Sequence, residues 1–384
     1  MRKPRILLVV PSLARAGAEK QAVVLANGLA ACGFECHLAS FESNRDQLDR
    51  LDLDKVRYHE LTRRRKVDLG LVSGIARIID AQRIDILHCT LTMSIFFGGL
   101  ARLRSARKPA VIAGVHTTLN PTRKEDLLGR FVYRPFFRSA KRVVFVCHRQ
   151  MEYWVARDPR LARTGMVIYN GVDTGYFDRR QLAADKAALK RSLGVPESAP
   201  IICCIAAFRP EKVQGNIVRA LARIADAHPA AHLLLAGQGP ELPAVERVAL
   251  EAGIADRVHF LGVLKDVRPV LAAAEFSVIS SIAVETFSFA MLESMAMGTP
   301  VVSSRIGGAE EAILTEGPAA TGMLVAPGSI GELAQAMDRL LGDPARTADL
   351  GRNARALVEE KFTQESMIAR TAELMSMIGD AGRS

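Results

Sequence analysis

The stretch that decides the fold reads VETFSFAMLESMAMGTPVVS and occupies residues 284–303. Ser288 is a favourable N-cap, the apolar residues after it recur at helical spacing, and Gly298 is a typical residue just beyond a helix C-terminus. The stretch therefore predicts a helix over 289–297 that leads from a loop into a short buried strand at 301–303.

Two carboxylates border the beginning of this predicted helix. Glu285 lies in the loop before it, and Glu293 lies inside it, eight positions later. The free amides of a helix N-terminus, here those of Phe289 and Ala290 after Ser288, favour a phosphate, and flanking carboxylates favour hydroxyl groups. Two unrelated glutamates are the simpler interpretation, but Glu293 stands among apolar residues, where an unpaired carboxylate is unfavourable. The pattern thus indicates a nucleotide-sugar site.

This segment resembles the E-x7-E motif of the retaining glycosyltransferases of family 4, which have the two-domain GT-B fold. The family usually has glycines where this chain has Thr286 and Ser288. Residues 298–302 (GTPVV) and 307–311 (GGAEE) are also similar to the family. The resemblance extends over nearly the whole chain, and its later motifs are the more specific ones.

The fold class follows from length and from alternating patterns. A chain of 384 residues is longer than one hydrophobic core usually serves. Apolar runs alternate with helical patterns twice in series, which predicts parallel α/β sheets. Strands are predicted at residues 6–10, 36–41, 84–89, 110–115, 142–147, 201–206, 232–236, 258–261, 276–280 and 301–303. Residues 166–173 (MVIYNGVD) resemble the strand and turn at the end of the family's first domain, which adds a strand there.

The family resemblance implies a specific architecture for these alternating strands and helices. It implies two Rossmann-like parallel-sheet domains facing each other across a cleft, with a C-terminal helix crossing back to the first domain. The expected parts are an N-terminal acceptor-side domain at 1–175, a C-terminal nucleotide-sugar donor-binding domain at 176–362, and the returning helix at 363–384.

Four positions are expected at the donor diphosphate. Arg209 and Lys212 follow the first strand of the second half, at the carboxyl end where α/β sheets bind ligands. The resemblance implies that they offset the charge of the departing diphosphate, together with Gly17 and the amides after Ser288. A solvated basic loop, and a glycine that only eases a tight turn, are the alternatives.

The resemblance also implies residues for the nucleotide and the sugar. Glu293 would hold the ribose hydroxyls and Val263 would contact the base, while Glu285 and His116 would position the donor sugar. His116 ends a predicted strand, which favours a functional role over the structural role that a lone histidine more often has.

The charge is divided unevenly along the chain. Residues 1–175 contain 30 lysines and arginines against 16 aspartates and glutamates, and the remainder contains 21 against 25. The basic half indicates an anionic acceptor or surface. Nucleic acid ranks below this interpretation because no nucleic-acid-binding motif accompanies the charge.

One segment of the first half forms a basic stripe. Arg130, Arg134 and Arg138 follow each other at four-residue spacing beside apolar residues, a pattern typical of a helix lying on an anionic membrane. A helix that buries one face in the core has the same pattern, so this alternative stays open.

No metal or cofactor is expected. Asp52 and Asp54 match a D-x-D pattern, but they lie in a polar stretch and are interpreted as solvated. The six cysteines show no zinc spacing, and no secretion signal or membrane-spanning run is apparent, so a cytoplasmic protein is expected. Peripheral attachment to the inner face of the membrane depends on the basic stripe and stays open with it.

The resulting hypothesis is a metal-independent, retaining hexosyltransferase. It would move a sugar from a UDP-sugar, or alternatively a GDP-sugar, to a lipid-linked or cell-surface glycan in polysaccharide biosynthesis. A soluble small-molecule glycosyltransferase and a GT-B nucleotide-sugar epimerase or hydrolase are the alternatives.

Overall fold

The computed structural model describes residues 2–117, 134–182, 185–283 and 285–381. The chain divides into two compact units. The first unit comprises residues 1–170 and 364–384, and the second comprises residues 171–363.

The first unit contains a seven-stranded sheet in the order β3-β2-β1-β4-β5-β6-β7. Every pairing in it is parallel, as expected when helices connect the strands. Its strands are β1 (Arg5–Val10), β2 (Glu35–Ser40), β3 (Val56–Glu60), β4 (Ile86–Thr90), β5 (Ala110–Val115), β6 (Arg142–Phe145) and β7 (Gly165–Val167).

Helices cover both faces of this sheet in the described part of the first unit. They are α1 (Gly17–Ala31), α2 (Leu69–Ala81), α3 (Thr92–Arg104), α4 (Arg134–Ser139), α5 (His148–Arg157) and α6 (Leu161–Thr164), with a 3₁₀ turn at Leu48–Arg50. Two buried clusters result, one on each side of the sheet, because alternate residues of β1 and β4 point to opposite faces.

The second unit contains a six-stranded parallel sheet in the order β10-β9-β8-β11-β12-β13. Its strands are β8 (Ile201–Ile205), β9 (His232–Ala236), β10 (Val258–Gly262), β11 (Phe276–Ile279), β12 (Val301–Ser304) and β13 (Gly322–Val325). In both sheets the strand order reverses beside the first strand of the unit, so both have the doubly wound arrangement that binds ligands at the carboxyl ends of its strands.

The helices of the second unit are mostly short and amphipathic. They are α7 (Asp185–Ser192), α8 (Gln214–Arg223), α9 (Leu242–Glu251), α10 (Arg268–Ala273), α11 (Phe289–Ala296), α12 (Ala309–Ala312), α13 (Ile330–Gly342) and α14 (Pro344–Lys361). Three 3₁₀ turns lie at Arg179–Leu182, Pro210–Lys212 and Ala255–Arg257.

The last helix, α15 (Gln364–Ala381), belongs to the first unit. Its buried residues Met367, Leu374 and Met375 join the cluster that α1 also covers. Gly28 of α1 lies so close to Ile368 that an added Cβ would overlap this side chain. The prediction of two Rossmann-like domains with a returning C-terminal helix is therefore confirmed.

Two strands were not predicted from the sequence, namely β3 and β13. Both lie at an edge of their sheet, where one side of the strand has no neighbour and polar residues are tolerated. The β3 sequence VRYHE reads as polar for this reason.

The predicted basic stripe is only partly described, since Arg130 lies outside the described residues. Helix α4 begins at Arg134 and buries Phe137, whose ring packs edge-to-face against Trp154 at 5.6 Å. Arg138 donates from Nε to the buried Asp158 carboxylate at 2.6 Å. One face of α4 therefore belongs to the core. None of the described helices combines the length and apolar character that crossing a membrane requires.

Candidate functional site

The helix at the centre of the predicted site forms as expected. Ser288 caps α11, because its Oγ accepts a hydrogen bond from the Met291 amide at 3.4 Å. Gly298 follows the helix with φ of +67°, a conformation that favours glycine. Helix α11 begins at Phe289, directly after the Ser288 cap. The positive end of the helix dipole favours an anion at such an N-terminus.

Lys212 and Glu285 form an ion pair at the same edge of the sheet. The Lys212 Nζ lies 2.5 Å from Glu285 Oε2, and the side chains are 21% and 14% exposed. Ser281 donates a second hydrogen bond to Glu285 Oε2 at 3.0 Å. The Glu285 carboxylate therefore accepts hydrogen bonds from both Lys212 and Ser281, and the Lys212 ammonium contacts a partly buried anion.

The loop carrying Lys212 is tied to the loop carrying Glu285 through the backbone as well. The Ile282 amide donates to Glu211 O at 2.9 Å, and Ser280 Oγ donates to Lys212 O at 2.7 Å. Val213, directly after Lys212, has φ of +40°, a conformation that is unfavourable for a β-branched residue. Such strain is concentrated at functional sites, where the surrounding contacts maintain it.

A third loop, after β12, supports the backbone of Glu285. The Gly308 amide donates to Thr286 O at 2.6 Å. Gly307 has φ of +55°, and an added Cβ would overlap the carbonyl oxygens of Glu285 and Thr286. Phe287 is buried and packs edge-to-face against Phe362 at 5.1 Å. The position of Glu285 therefore depends on residues distant in the sequence.

The remaining predicted donor residues lie at the same edge of the second sheet. Glu293 is 8% exposed within α11. Val263 follows β10 and is 52% exposed. Arg209 is exposed before the 3₁₀ turn, and its guanidinium has no hydrogen bond or ion pair with the other described residues.

Two glycines that were not predicted as site residues lie after β9, at the same carboxyl ends of the strands. An added Cβ at Gly237 would overlap Ala206 O, and one at Gly239 would overlap Phe208 O. The Gly237 amide donates to Gly262 O at 2.7 Å. The loops after β8, β9 and β10 are consequently packed backbone against backbone. The sequence feature that could have identified these two glycines is the Gly-x-Gly pattern directly after a predicted strand.

In the first unit, Gly17 and His116 lie at the carboxyl edge of the sheet. Gly17 is the first residue of α1, whose N-cap, Ala16, supplies no side-chain acceptor. Burial and the neighbouring His88 lower the pKa of His116 to about 3, and burial lowers that of His88 to about 4. Both rings are therefore neutral at physiological pH, and His116 can offer one donor and one acceptor nitrogen.

The loop at His116 is held by two side chains of α5 that the sequence did not reveal. The fully buried Gln150 donates from Nε2 to Val115 O at 3.0 Å and to Thr117 O at 3.2 Å. Trp154 Nε1 donates to Thr117 O at 2.9 Å. The carbonyls on both sides of His116 are thus bound, which makes Gln150 a positioning residue for the imidazole.

Gln150→Leu is expected to release the His116 loop. The change removes both hydrogen bonds that Gln150 donates and the one that it accepts from the Val146 amide, so Val115 O and the Val146 amide lose this partner while Thr117 O keeps only Trp154 Nε1. The cost of each unsatisfied group is about 1–3 kcal/mol. As water reaches the loop, the pKa of His116 should rise from about 3 toward the ordinary histidine value. An NMR titration of the imidazole nitrogens measures this.

The control is Ser105→Ala, which removes another buried hydrogen-bonding side chain at the opposite edge of the sheet. It should lower stability without moving the His116 titration. An unchanged His116 titration in folded Gln150→Leu protein would show that the glutamine does not position the ring.

Comparison with known families identifies the class of the protein. Residues 15–176 match the model of "Glycosyltransferase Family 4", and residues 185–357 match "Glycosyl transferases group 1". The chain belongs to the family 4 glycosyltransferases with the GT-B fold.

Individual relatives are moderately similar. The N-acetyl-alpha-D-glucosaminyl L-malate synthase of Bacillus anthracis is 28% identical over 306 residues, which are 79% of this chain and 77% of that protein. A GDP-mannose-dependent monoacylated alpha-(1-6)-phosphatidylinositol monomannoside mannosyltransferase of Corynebacterium glutamicum is 31% identical over 214 residues, 54% of each chain.

The fold has close counterparts among solved structures. The structure of Anabaena HepE in complex with UDP superimposes with a TM-score of 0.85, covering 97% of this chain and all of that chain at 22% identity. At this identity the likeness concerns the fold.

Proposed function

We propose that this protein is a retaining glycosyltransferase that uses a nucleotide-diphosphate sugar, preferentially a UDP-sugar, with a GDP-sugar as the second choice. The observation that carries the proposal is the Lys212–Glu285 pair, whose carboxylate belongs to the loop three residues before the N-cap of α11. The pair combines a cation for a diphosphate with a carboxylate for sugar hydroxyls, and the dipole of α11 favours an anion at its N-terminus. HepE was solved with UDP, which supports the preferred nucleotide.

Each residue then has a defined task. Lys212, Arg209 and the first amides of α11 stabilise the negative charge that develops on the departing diphosphate. Glu285 positions the donor sugar, held in place by Ser281. Gly17, the first residue of α1, allows the backbone to approach the donor diphosphate closely.

Two further contacts complete the donor site in this proposal. Glu293 binds the ribose hydroxyls, and the exposed Val263 contacts the base. His116, neutral at physiological pH, binds a sugar hydroxyl near the reacting carbon. Because Glu285 already accepts hydrogen bonds from Lys212 and Ser281, we infer front-face attack through an oxocarbenium-like state rather than a carboxylate nucleophile.

The acceptor is proposed to be a lipid-linked or cell-surface glycan at an anionic membrane. The name of the Corynebacterium glutamicum relative describes a lipid-linked acceptor, and the basic balance of residues 1–175 fits such a surface. The name of the Bacillus anthracis relative describes transfer to L-malate, which makes a small-molecule acceptor the alternative.

A screen of nucleotide sugars tests the donor assignment. Each candidate is assayed for thermal stabilisation, because a ligand that binds the folded state raises its melting temperature with occupancy. UDP-sugars should stabilise most, and donor turnover should increase when acceptor is present. Rapid hydrolysis or epimerisation that is independent of acceptor would instead assign the chain to one of those activities.

Glu293→Ala tests the proposed contact between Glu293 and the nucleotide by a binding measurement. Loss of a hydrogen bond to a charged group should weaken nucleoside diphosphate binding by about 1.5–3 kcal/mol, measured by calorimetry. Glu310→Ala, on the exposed side of α12, is the control and should leave the affinity unchanged. Unchanged affinity in folded Glu293→Ala protein would remove Glu293 from the nucleotide site.

A further inference from the structure

A large cationic cavity lies at the amino ends of the strands of the first sheet, whereas His116 and Gly17 lie at their carboxyl ends. Its volume is about 800 Å³, and it is formed where β4, β5, β6 and β7 begin. Because the strands are parallel, the amino ends that form this cavity lie away from the carboxyl ends that carry the predicted site residues. Nothing in the proposed glycosyl transfer uses it.

Seven cationic side chains line the cavity, and Asp85 is the one carboxylate among the described lining residues. The cations are Arg102, Arg107, Lys108, Arg138, Lys141, Arg142 and Arg163. This concentration accounts for part of the basic balance that the sequence shows in residues 1–175.

The nearby carboxylates neutralise only a minority of these charges. Asp85 binds Arg107 at 2.9 Å and also accepts a hydrogen bond from the Arg5 amide at 2.9 Å. Asp158, which is buried, pairs with Arg138. Lys141 and Arg163 are both exposed, and neither side chain has a hydrogen bond or ion pair with the other described residues.

Contacts to backbone carbonyls engage several of the cations. Lys108 donates to Leu103 O in the last turn of α3, where a cation offsets the partial negative charge of the helix C-terminus. Arg102 Nε donates to Pro109 O at 2.9 Å, and the Arg142 guanidinium donates to Lys141 O at 2.9 Å. These contacts use one donor of each side chain and do not account for the concentration of Lys141, Arg142 and Arg163 at one site.

We propose that this cavity binds a ligand carrying at least two phosphate groups. Guanidinium groups recognise phosphate oxygens through paired N–H donors, and several cations around one concave site favour more than one phosphate. A volume of about 800 Å³ is within the range of small-ligand pockets. The phosphates belong either to a soluble metabolite or to a lipid headgroup, which share this chemistry.

Calorimetry with inorganic pyrophosphate tests the site. All variants carry Lys212→Ala, so that any pyrophosphate binding that remains at the donor site is the same in every variant and cancels from the comparison. Adding K141Q, R142Q and R163Q should weaken pyrophosphate binding about tenfold or more, because each charge-assisted hydrogen bond contributes substantially. The three residues lie outside the buried core, and circular dichroism confirms that the variant is folded.

The matched control replaces two other arginines and one lysine of the same unit. Arg64, Arg65 and Lys66 are exposed and lie outside the cavity, so R64Q, R65Q and K66Q change the net charge equally. They should alter pyrophosphate affinity less than twofold if local contacts dominate, since distant surface charges are screened by salt. Equal losses in both triple variants, or no binding by the Lys212→Ala parent at low ionic strength, would overturn the proposal.

A second arm distinguishes the two phosphate sources. Sedimentation with vesicles of cardiolipin, whose headgroup carries two phosphates, and phosphatidylcholine is compared for the parent and both triple variants. Vesicle binding that only the cavity variant loses, and that pyrophosphate displaces, identifies a headgroup. Pyrophosphate binding without cavity-dependent vesicle binding identifies a soluble ligand, and either result supports a polyphosphate site.

Discussion

Lys212→Ala is expected to reduce kcat about 10²–10³-fold, the usual effect of removing one group that stabilises charge in the transition state. Lys212 is the cation that the structure places against Glu285, a residue three positions before the N-cap of α11. Its charge matters most as the diphosphate departs, so the effect should be larger on kcat than on donor affinity. Steady-state kinetics with the donor found by the nucleotide-sugar screen measures both.

A charge control and a check of the fold accompany Lys212→Ala. Lys361→Ala removes an exposed lysine of the second unit and should leave kcat unchanged. Both variants should remain folded by circular dichroism, but Lys212→Ala leaves the mostly buried Glu285 carboxylate with Ser281 alone and is expected to cost some stability. Equal kcat values for wild type and Lys212→Ala would remove Lys212 from the chemistry.

The same kinetics test metal independence. Wild-type turnover should persist in excess chelator, because the proposed stabilisation of the diphosphate comes from Lys212, Arg209 and backbone amides. If chelation abolishes transfer and manganese restores it, the diphosphate requires a metal ion, and Asp52 and Asp54 become candidates for holding it.

Gly307→Ala is expected to lower kcat/KM about 10²-fold without any direct contact with the substrate, since small displacements of a positioned group have effects of this size. The added Cβ would overlap the carbonyl oxygens of Glu285 and Thr286, so the loop must shift. The Glu285 carboxylate moves with it, away from Lys212. Kinetics and the affinity for donor should both be affected.

Gly317→Ala separates this effect from backbone strain. Gly317 has φ of +75°, compared with +55° for Gly307, but nothing lies within 4 Å of its added Cβ. Both variants should lose about 1–2 kcal/mol of stability from the left-handed conformation, whereas only Gly307→Ala should lose activity. A similar loss of activity in both would show that general destabilisation is responsible.

The fold was largely predictable because its main determinants are local. The buried strands are short apolar runs, and α11 begins at its cap, Ser288, and is followed by Gly298 as the spacing predicts. The edge strand β3 was missed because one-sided pairing lets polar residues occupy it. Whether such a segment forms a strand depends on the neighbouring strand with which it pairs, and its own composition does not reveal it.

The candidate site was predictable only in part. Lys212 and Glu285 stand at recognisable motif positions, but their 2.5 Å contact joins residues far apart in the sequence. Gln150 and Ser281 belong to no motif, and only the folded geometry shows that they hold His116 and Glu285. A side chain that holds a site residue in place can be far from it in the sequence. The periodicity of apolar residues and the spacing of motifs carry no information about such contacts.

The return of α15 to the first unit has a consequence for the order in which the protein is made. Translation produces the whole second unit, residues 171–363, before it produces α15. During that time the surface of α1 around Gly28 lacks the partner that Ile368 supplies, and part of the first core remains open. Domains that emerge from the ribosome usually fold as units, the N-terminal one first. Here the domain that begins first on the ribosome is the one completed last.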